Sequence, residues 1–60
     1  MEFEKGHFYT TLFNVGGQIL TFTCEIIEDS GDFIKFKDKF GKELVYNKST
    51  IISSEEIKDD

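Results

Sequence analysis

The fold is indicated most clearly by QILTFTCEIIE, residues 18–28. Its side chains alternate between two faces, one formed by Leu20, Phe22, Cys24 and Ile26, the other by residues that include two threonines and a glutamate. Successive side chains of a β-strand point to opposite sides of the sheet, so the first face is predicted to lie against the core. A run of this length with mixed faces predicts a strand that bends between the two layers of a small barrel.

Further runs of strand length lie on both sides of this stretch, separated by turn signals. Gly16-Gly17 marks a hairpin turn after the run His7–Val15, and that run has no clearly polar face, so its buried side is left open. A polar cluster at residues 28–32 follows the long strand. The remaining predicted strands are residues 33–37, residues 43–47 and a short residues 50–53.

Two local motifs refine the second half of the chain. Asp38 and Gly41 occupy the first and last positions of a predicted type I turn with a glycine bulge. Ser53 and Glu56 have the spacing of a capping box, which predicts a single helical turn near the C-terminus that ends at Ile57. The acidic tail, residues 54–60, is expected to be mobile.

The composition favours strands throughout. Phe, Tyr, Ile, Val and Thr make up 23 of the 60 residues, whereas Ala is absent and Leu occurs three times. The first group suits a pleated, half-buried surface, and the second contains the strongest apolar helix formers. The sequence therefore predicts an all-β protein with one domain, residues 1–60, built as a small five-stranded antiparallel barrel.

The length limits the chemistry that the chain can support. A domain of 60 residues buries only about 60% of the surface exposed by its unfolded chain, so a deep catalytic cleft is not expected. Cys24 lies on the predicted core face without an activating base, and His7 has no partner ligands in its pattern. The acidic loop at residues 28–32 lacks the spacing of a calcium-binding loop. We expect a non-enzymatic protein with no cofactor and no metal.

The N-terminal segment, the apolar runs, the single cysteine and the net charge indicate the cellular compartment and the class of partner. The acidic start lacks the basic segment and apolar core of a signal peptide, and no apolar run approaches the roughly 18 residues of a membrane-spanning helix. One cysteine cannot form an internal disulfide, so we expect a cytoplasmic protein without a membrane or disulfide-linked partner. The formal net charge of −5 lies mostly at the chain ends, which argues against a general coat for duplex DNA.

The predicted strand pattern resembles SH3-like small barrels, and residues 9–52 resemble the Sm-like variant, which includes the bacterial Hfq-type proteins. The resemblance depends on Leu12-Phe13-Asn14-Val15-Gly16-Gly17-Gln18, on Ile34-Lys35-Phe36-Lys37-Asp38, and on Leu44-Val45-Tyr46-Asn47-Lys48 with Ile51 and Ile52. It implies a five-stranded barrel that binds RNA. The sequence departs from the family at the Hfq-type Tyr-Lys-His motif, where Tyr46-Asn47-Lys48 keeps only the tyrosine. A generic SH3-like barrel accounts for the same strands.

An excess of apolar residues motivates the leading functional hypothesis. More apolar side chains line the two-sided strands than a barrel of this size encloses, and large exposed apolar patches mark interaction surfaces. The candidates for exposure are Phe3, Phe8, Ile19, Ile27, Phe33, Phe40 and Val45. We expect a module that self-associates or docks a partner protein through edge strands and this patch. Its predicted contact residues are Phe33, Phe40, Tyr46, Ile19 and Ile27.

Two alternatives remain open. The first is binding of single-stranded nucleic acid, with aromatic residues for base stacking and a phosphate-contacting stripe formed by Lys35, Lys37, Lys39 and Lys48. The same lysines also fit a solvated outer face that protects an edge strand from aggregation. The second alternative is a small acidic regulator or inhibitor, of the kind that phages and plasmids encode, which presents its carboxylates to a basic surface.

Overall fold

The structure, a computed structural model, describes residues 2–58, which form one antiparallel sheet of five strands and one 3-10 turn. The sheet order is β4-β3-β2-β1-β5. The elements are β1 (Phe8–Val15), β2 (Gln18–Asp29), β3 (Phe33–Lys37), β4 (Glu43–Asn47), the 3-10 turn (Lys48–Thr50) and β5 (Ile51–Ile57). The predicted all-β class with five antiparallel strands is confirmed. Within the described residues, no helix has the length and apolar character needed to cross a membrane.

A tight hairpin joins β1 to β2. Val15 pairs with Gln18, and the two residues between them, Gly16 and Gly17, have φ values of +58° and +83°. Positive φ at both central positions is the property of the type I′ turn, whose twist matches that of the flanking strands. The hairpin turn predicted from the glycine pair is confirmed.

The sheet curls so that its two halves face each other. The ring of Phe13 on β1 lies 4.8 Å from the ring of Tyr46 on β4, although β2 and β3 separate these two strands in the sheet. Register shifts lie between Leu12 and Phe13 in β1 and between Ile26 and Glu28 in β2. Such bulges bend a strand, and the bent strands enclose an aromatic core.

The structure confirms the predicted buried face of β2 and shows which face of β1 is buried. Cys24 and Ile26 are buried and Leu20 and Phe22 are half-buried, so the predicted core face of β2 points inward. In β1 the inward face is Tyr9, Thr11 and Phe13. The buried Thr11 hydroxyl lies 2.8 Å from the Ser54 hydroxyl on β5. The buried hydrophobic side chains are Phe3, Tyr9, Phe13, Cys24, Ile26, Ile34 and Phe36.

The segment before β1 covers one end of the core, which corrects a prediction. Phe3 was expected to be exposed, but it is buried and packs edge-on against Tyr9 with ring centroids 4.9 Å apart. Its backbone N–H donates to Asp29 Oδ2 at 3.0 Å, and the N–H of Glu4 donates to the Tyr9 hydroxyl at 3.0 Å. Ile27, also expected to be exposed, is half-buried.

The strand β5 is longer than predicted. The sequence placed a helical turn at residues 53–57, whereas the 3-10 turn lies at Lys48–Thr50 and residues 53–57 continue β5. Pairing with β1 holds residues 53–57 in a strand, although the local sequence favours a helical cap. A side-chain contact also holds this strand, because Glu56 Oε2 lies 3.2 Å from His7 Nδ1. The mobility predicted for residues 54–60 stays a prediction, and residues 59 and 60 lie outside the described residues.

Candidate docking edge

The first half of β2 has a neighbouring strand on one side only. β2 pairs with β1 from Gln18 to Glu25, but with β3 only from Glu25 to Asp29. Residues 18–24 therefore form an open sheet edge within the part of the chain that the structure describes. An open edge is a template on which another strand adds.

Three residues direct their backbone hydrogen-bonding groups toward this open side. Val15 and Gln18 flank the hairpin turn and form a hydrogen-bonded pair, and the pairs alternate from there. The N–H and C=O groups of Ile19, Thr21 and Thr23 accordingly point away from β1. Within residues 2–58, no turn or strand hydrogen bond reaches these three residues from that side, and all three side chains are exposed. We call residues 19–23 the β2 edge.

The strand that forms the β2 edge carries neither charge nor proline along that edge. Residues 8–24, which form most of the hairpin, contain no charged residue and no proline. Natural proteins usually protect an edge with lysine, proline, a bulge or a covering segment. The free edges of β4 and β5 differ in this respect, because they carry Glu43 and the pair Glu55 and Glu56.

A rigid turn stands beside the β2 edge. The Asp38 carboxylate accepts hydrogen bonds from the N–H groups of Phe40 and Lys42, both at 2.9 Å, and the Gly41 N–H donates to the Asp38 carbonyl at 3.0 Å. The predicted turn is therefore confirmed. Between it and β2 lies a groove of about 370 Å³, which is lined by Thr21, Phe22, Thr23, Asp38, Lys39 and Phe40.

Within residues 2–58, the two most exposed large hydrophobic side chains lie along this edge. Phe40, at the tip of the turn, is 82% exposed, and Ile19, near the hairpin turn, is 64% exposed. The other predicted contact residues lie elsewhere. Phe33 is exposed at the far end of β3, Ile27 is half-buried at the β2 bulge, and Tyr46 packs in the aromatic core.

The four lysines of the predicted stripe have different neighbouring groups. Lys35 Nζ lies 3.4 Å from Glu43 Oε1, and Lys39 Nζ lies over the Phe40 ring at 5.2 Å. Lys48 is on the 3-10 turn and forms an ion pair with Asp29. Lys37 pairs in register with Glu25 on one side and with Glu43 on the other. Nucleic-acid binding by these lysines stays a prediction, and the carboxylates of Glu43 and Asp29 offset the charges of Lys35 and Lys48.

Comparison with protein-family models, curated proteins and solved structures finds no match to this chain. The features that bear on function are therefore physical ones, namely the open β2 edge, the groove beside it and the ionisable groups. Within residues 2–58, no group of three or more His, Cys, Asp or Glu side chains is placed to hold a metal ion.

Among residues 2–58, the pKa values of two side chains are strongly shifted, and both shifts have structural causes. Burial raises the pKa of the Cys24 thiol to about 11, although a hydrogen bond with Thr11 acts in the opposite direction. The hydrogen bond from Lys48, followed by that from the Phe3 N–H, lowers the pKa of Asp29 to about 2. A buried neutral thiol is a poor nucleophile, and a carboxylate held charged at this pKa is a structural anchor rather than a proton carrier.

Sequence reasoning missed Thr21 and Thr23 as parts of the site. Both were assigned to the outer face of β2, but nothing in the alternation indicated that they lack a strand neighbour. The useful signal is the difference in length between the predicted second strand, 11 residues, and the predicted third strand, 5 residues. A strand that long extends past its short neighbour and leaves part of one edge unpaired.

Proposed function

We propose that this protein is an SH3-like small barrel that acts as a non-enzymatic interaction module, and that it binds an extended protein segment along the β2 edge. The strand order β4-β3-β2-β1-β5, with a 3-10 turn between β4 and β5, supports the barrel assignment. The observation that carries the function is the open, uncharged β2 edge with Ile19 and Phe40 exposed beside it.

Strand addition explains how such an edge binds. An added strand forms main-chain hydrogen bonds with the outward-pointing groups of Ile19, Thr21 and Thr23, and these bonds supply affinity without depending on sequence. Specificity comes from alternate side chains, which contact the half-buried Leu20 and Phe22 on one face of the edge. The groove beside Phe40 receives the side chains of the added strand.

The chemistry of the edge limits the class of partner. A charged side chain placed against residues 18–24 meets no opposite charge within that stretch and loses part of its hydration. The charged residues that line the adjoining groove, Asp38 and Lys39, are one of each sign. Exposed Ile19 and Thr21 favour β-branched and aromatic neighbours across the strand pair. The expected ligand is therefore an uncharged extended segment rich in Val, Ile, Thr, Phe or Tyr.

A peptide array with a structural readout tests this function. Arrayed extended peptides that vary in charge and β-propensity are probed with the protein, and the best binders are titrated into the ¹⁵N-labelled chain. We expect uncharged β-branched peptides to bind and to shift the amide signals of Ile19, Thr21 and Thr23. Thr21→Pro removes a donor from the edge, so it should abolish binding.

A matched control uses the exposed isoleucine on another edge. Ile19→Lys should weaken peptide binding, whereas Ile52→Lys, which makes the same change on β5 at a side chain that is 50% exposed, should leave it unchanged. Peptide binding that shifts only β4 or β5 signals, or an array without binders from a protein that is also monomeric, would overturn the proposal.

A further inference from the structure

We infer that the segment bound on the β2 edge is the same edge of a second copy of this chain, paired antiparallel about a two-fold axis at Thr21. This inference rests on the proposed function and names its partner. A two-fold dimer uses one surface patch twice, so the patch must be complementary to itself.

The β2 edge meets that condition in its side chains. With the axis at Thr21, the two Thr21 side chains face each other, and Ile19 of each copy lies opposite Thr23 of the other. On the opposite face, Leu20 of each copy lies opposite Phe22 of the other. Threonine pairs and aliphatic–aromatic pairs are among the favourable cross-strand neighbours.

The backbone is also complementary in this register. Ile19, Thr21 and Thr23 all point their N–H and C=O groups to the open side. When Thr21 faces Thr21 and Ile19 faces Thr23, each outward N–H of one copy meets an outward C=O of the other. No buried polar group of the edge is left without a partner by the pairing.

The same axis covers the exposed hydrophobic side chains of Ile19 and Phe40. Phe40 lines the groove beside Thr21 and Thr23 of its own chain. Because Ile19 of the second copy pairs opposite Thr23, it comes to the level of that groove and of Phe40. One contact repeated by symmetry therefore removes both Ile19 and Phe40 from water in each copy, which favours association.

Net charge distinguishes this edge from the others. Each chain carries a formal charge of −5, so two copies repel each other, and the repulsion is smallest across a surface that has no net charge. Pairing β5 with its equivalent would bring Glu55 and Glu56 of both copies together. The hairpin residues 8–24 bring no charge to the contact, and Asp38 and Lys39, which line the adjoining groove, bring one charge of each sign. The Debye length is about 8 Å at physiological ionic strength, so added salt screens the remaining repulsion.

Sedimentation equilibrium from micromolar to millimolar concentration tests the inference on the full chain. We expect a monomer–dimer equilibrium whose dimer fraction rises with salt, which is opposite to the response of an interface held by ion pairs. Ile19→Lys loses a buried isoleucine at both ends of the contact and should raise the dissociation constant by roughly tenfold to a hundredfold. Ile52→Lys should leave it unchanged.

Control measurements distinguish three outcomes: a misfolded variant, failure of the second-copy inference alone, and failure of the proposed function. Circular dichroism verifies that each variant keeps the wild-type fold, and Ile19→Lys is well suited because its site is exposed. A chain that stays monomeric at every concentration but binds arrayed peptides on the β2 edge overturns the second-copy inference and leaves the proposed function intact. A dimer broken by Ile52→Lys and kept by Ile19→Lys overturns the inference as well, because its interface lies on β5.

Discussion

Asp29 at the end of β2 and Lys48 in the 3-10 turn form an ion pair in which both side chains are largely shielded from solvent. The same carboxylate accepts the N–H groups of Phe3 at 3.0 Å and Gly31 at 3.1 Å. The backbone N–H of Lys48 donates to the carbonyl of Asp32 at 2.8 Å. One carboxylate thus joins the N-terminal segment, the β2–β3 loop and the turn before β5.

Replacing Asp29 should make the stability of the protein less dependent on pH. Because Lys48 and the Phe3 N–H lower the pKa of Asp29 to about 2, its stabilising contribution is complete above the unfolded-state pKa of about 3.9 and is lost as pH falls toward 2. We expect Asp29→Asn to reduce the free energy of unfolding by about 1 kcal/mol at pH 7 and by much less at pH 2. Urea unfolding of the wild-type protein and the variant at several pH values measures the loss of unfolding free energy at pH 7 and at pH 2.

The control for this change is Asp32→Asn in the same loop. Within residues 2–58, the Asp32 side chain takes part in no ion pair or hydrogen bond, so its removal changes net charge alone. A wild-type protein and an Asp29→Asn variant whose unfolding free energies stay parallel from pH 7 to pH 2 would contradict the anchoring role.

Phe13 should be indispensable for folding. It is 1% exposed, and its ring contacts those of Phe22, Phe36 and Tyr46 at centroid distances between 4.8 and 5.8 Å. Removing a buried phenylalanine costs about 3–5 kcal/mol, comparable with the whole stability of a small domain. Phe13→Ala should therefore be largely unfolded by circular dichroism. Phe8→Ala, in the same strand at a side chain that is 46% exposed, should stay folded.

The Cys24 thiol should react only when the protein opens. It is buried, and burial raises its pKa to about 11, so little thiolate is present or accessible at pH 8. We expect a thiol reagent to label the native protein slowly and the urea-unfolded protein rapidly. Labelling of the native protein at the unfolded rate would contradict the buried placement, and Cys24→Ser is the blank for both measurements.

The β1–β2 turn should tolerate Gly16→Asn better than Gly17→Ala. Asn-Gly is a preferred pair for type I′ turns, so Gly16→Asn should leave the melting temperature almost unchanged. Gly17, with φ of +83°, has no space conflict, but an alanine there adopts a left-handed conformation that costs about 1–2 kcal/mol. Gly17→Ala should lower stability by that amount. Equal effects of the two variants would argue against this turn type.

Local patterns predicted the parts of the fold that depend on neighbouring residues. The alternation of Leu20, Phe22, Cys24 and Ile26 identified the inner face of β2, because three of the four have strongly apolar side chains and the opposite face includes threonines and a glutamate. The run His7–Val15 mixes polar and apolar residues on both faces, so only its position between β2 and β5 shows that Tyr9, Thr11 and Phe13 are buried.

Contacts between distant residues could not be predicted in this way. Burial of Phe3 depends on Asp29 and Tyr9, and the length of β5 depends on β1 and on the contact of Glu56 with His7. The open β2 edge likewise follows from where β3 ends, which is a property of the sheet. Exposure of Ile19 and Phe40 was predicted because the chain has more apolar residues than a barrel of this size encloses, and both side chains are exposed in the structure.

The strand order also sets the sequence in which the sheet is built. Three of its four pairings join strands that are consecutive in the chain, whereas β5 returns to β1 across nearly the whole sequence. Closing that loop has the largest entropic cost, so β1–β4 should form first and β5 should dock last and detach first. When β5 detaches, β1 loses the strand that covers it on that side within residues 2–58, and the uncharged residues 8–24 of the hairpin are then open along both edges. Docked β5 should therefore shield the β1 side of the hairpin from strand addition, and this protection is missing until β5 has docked.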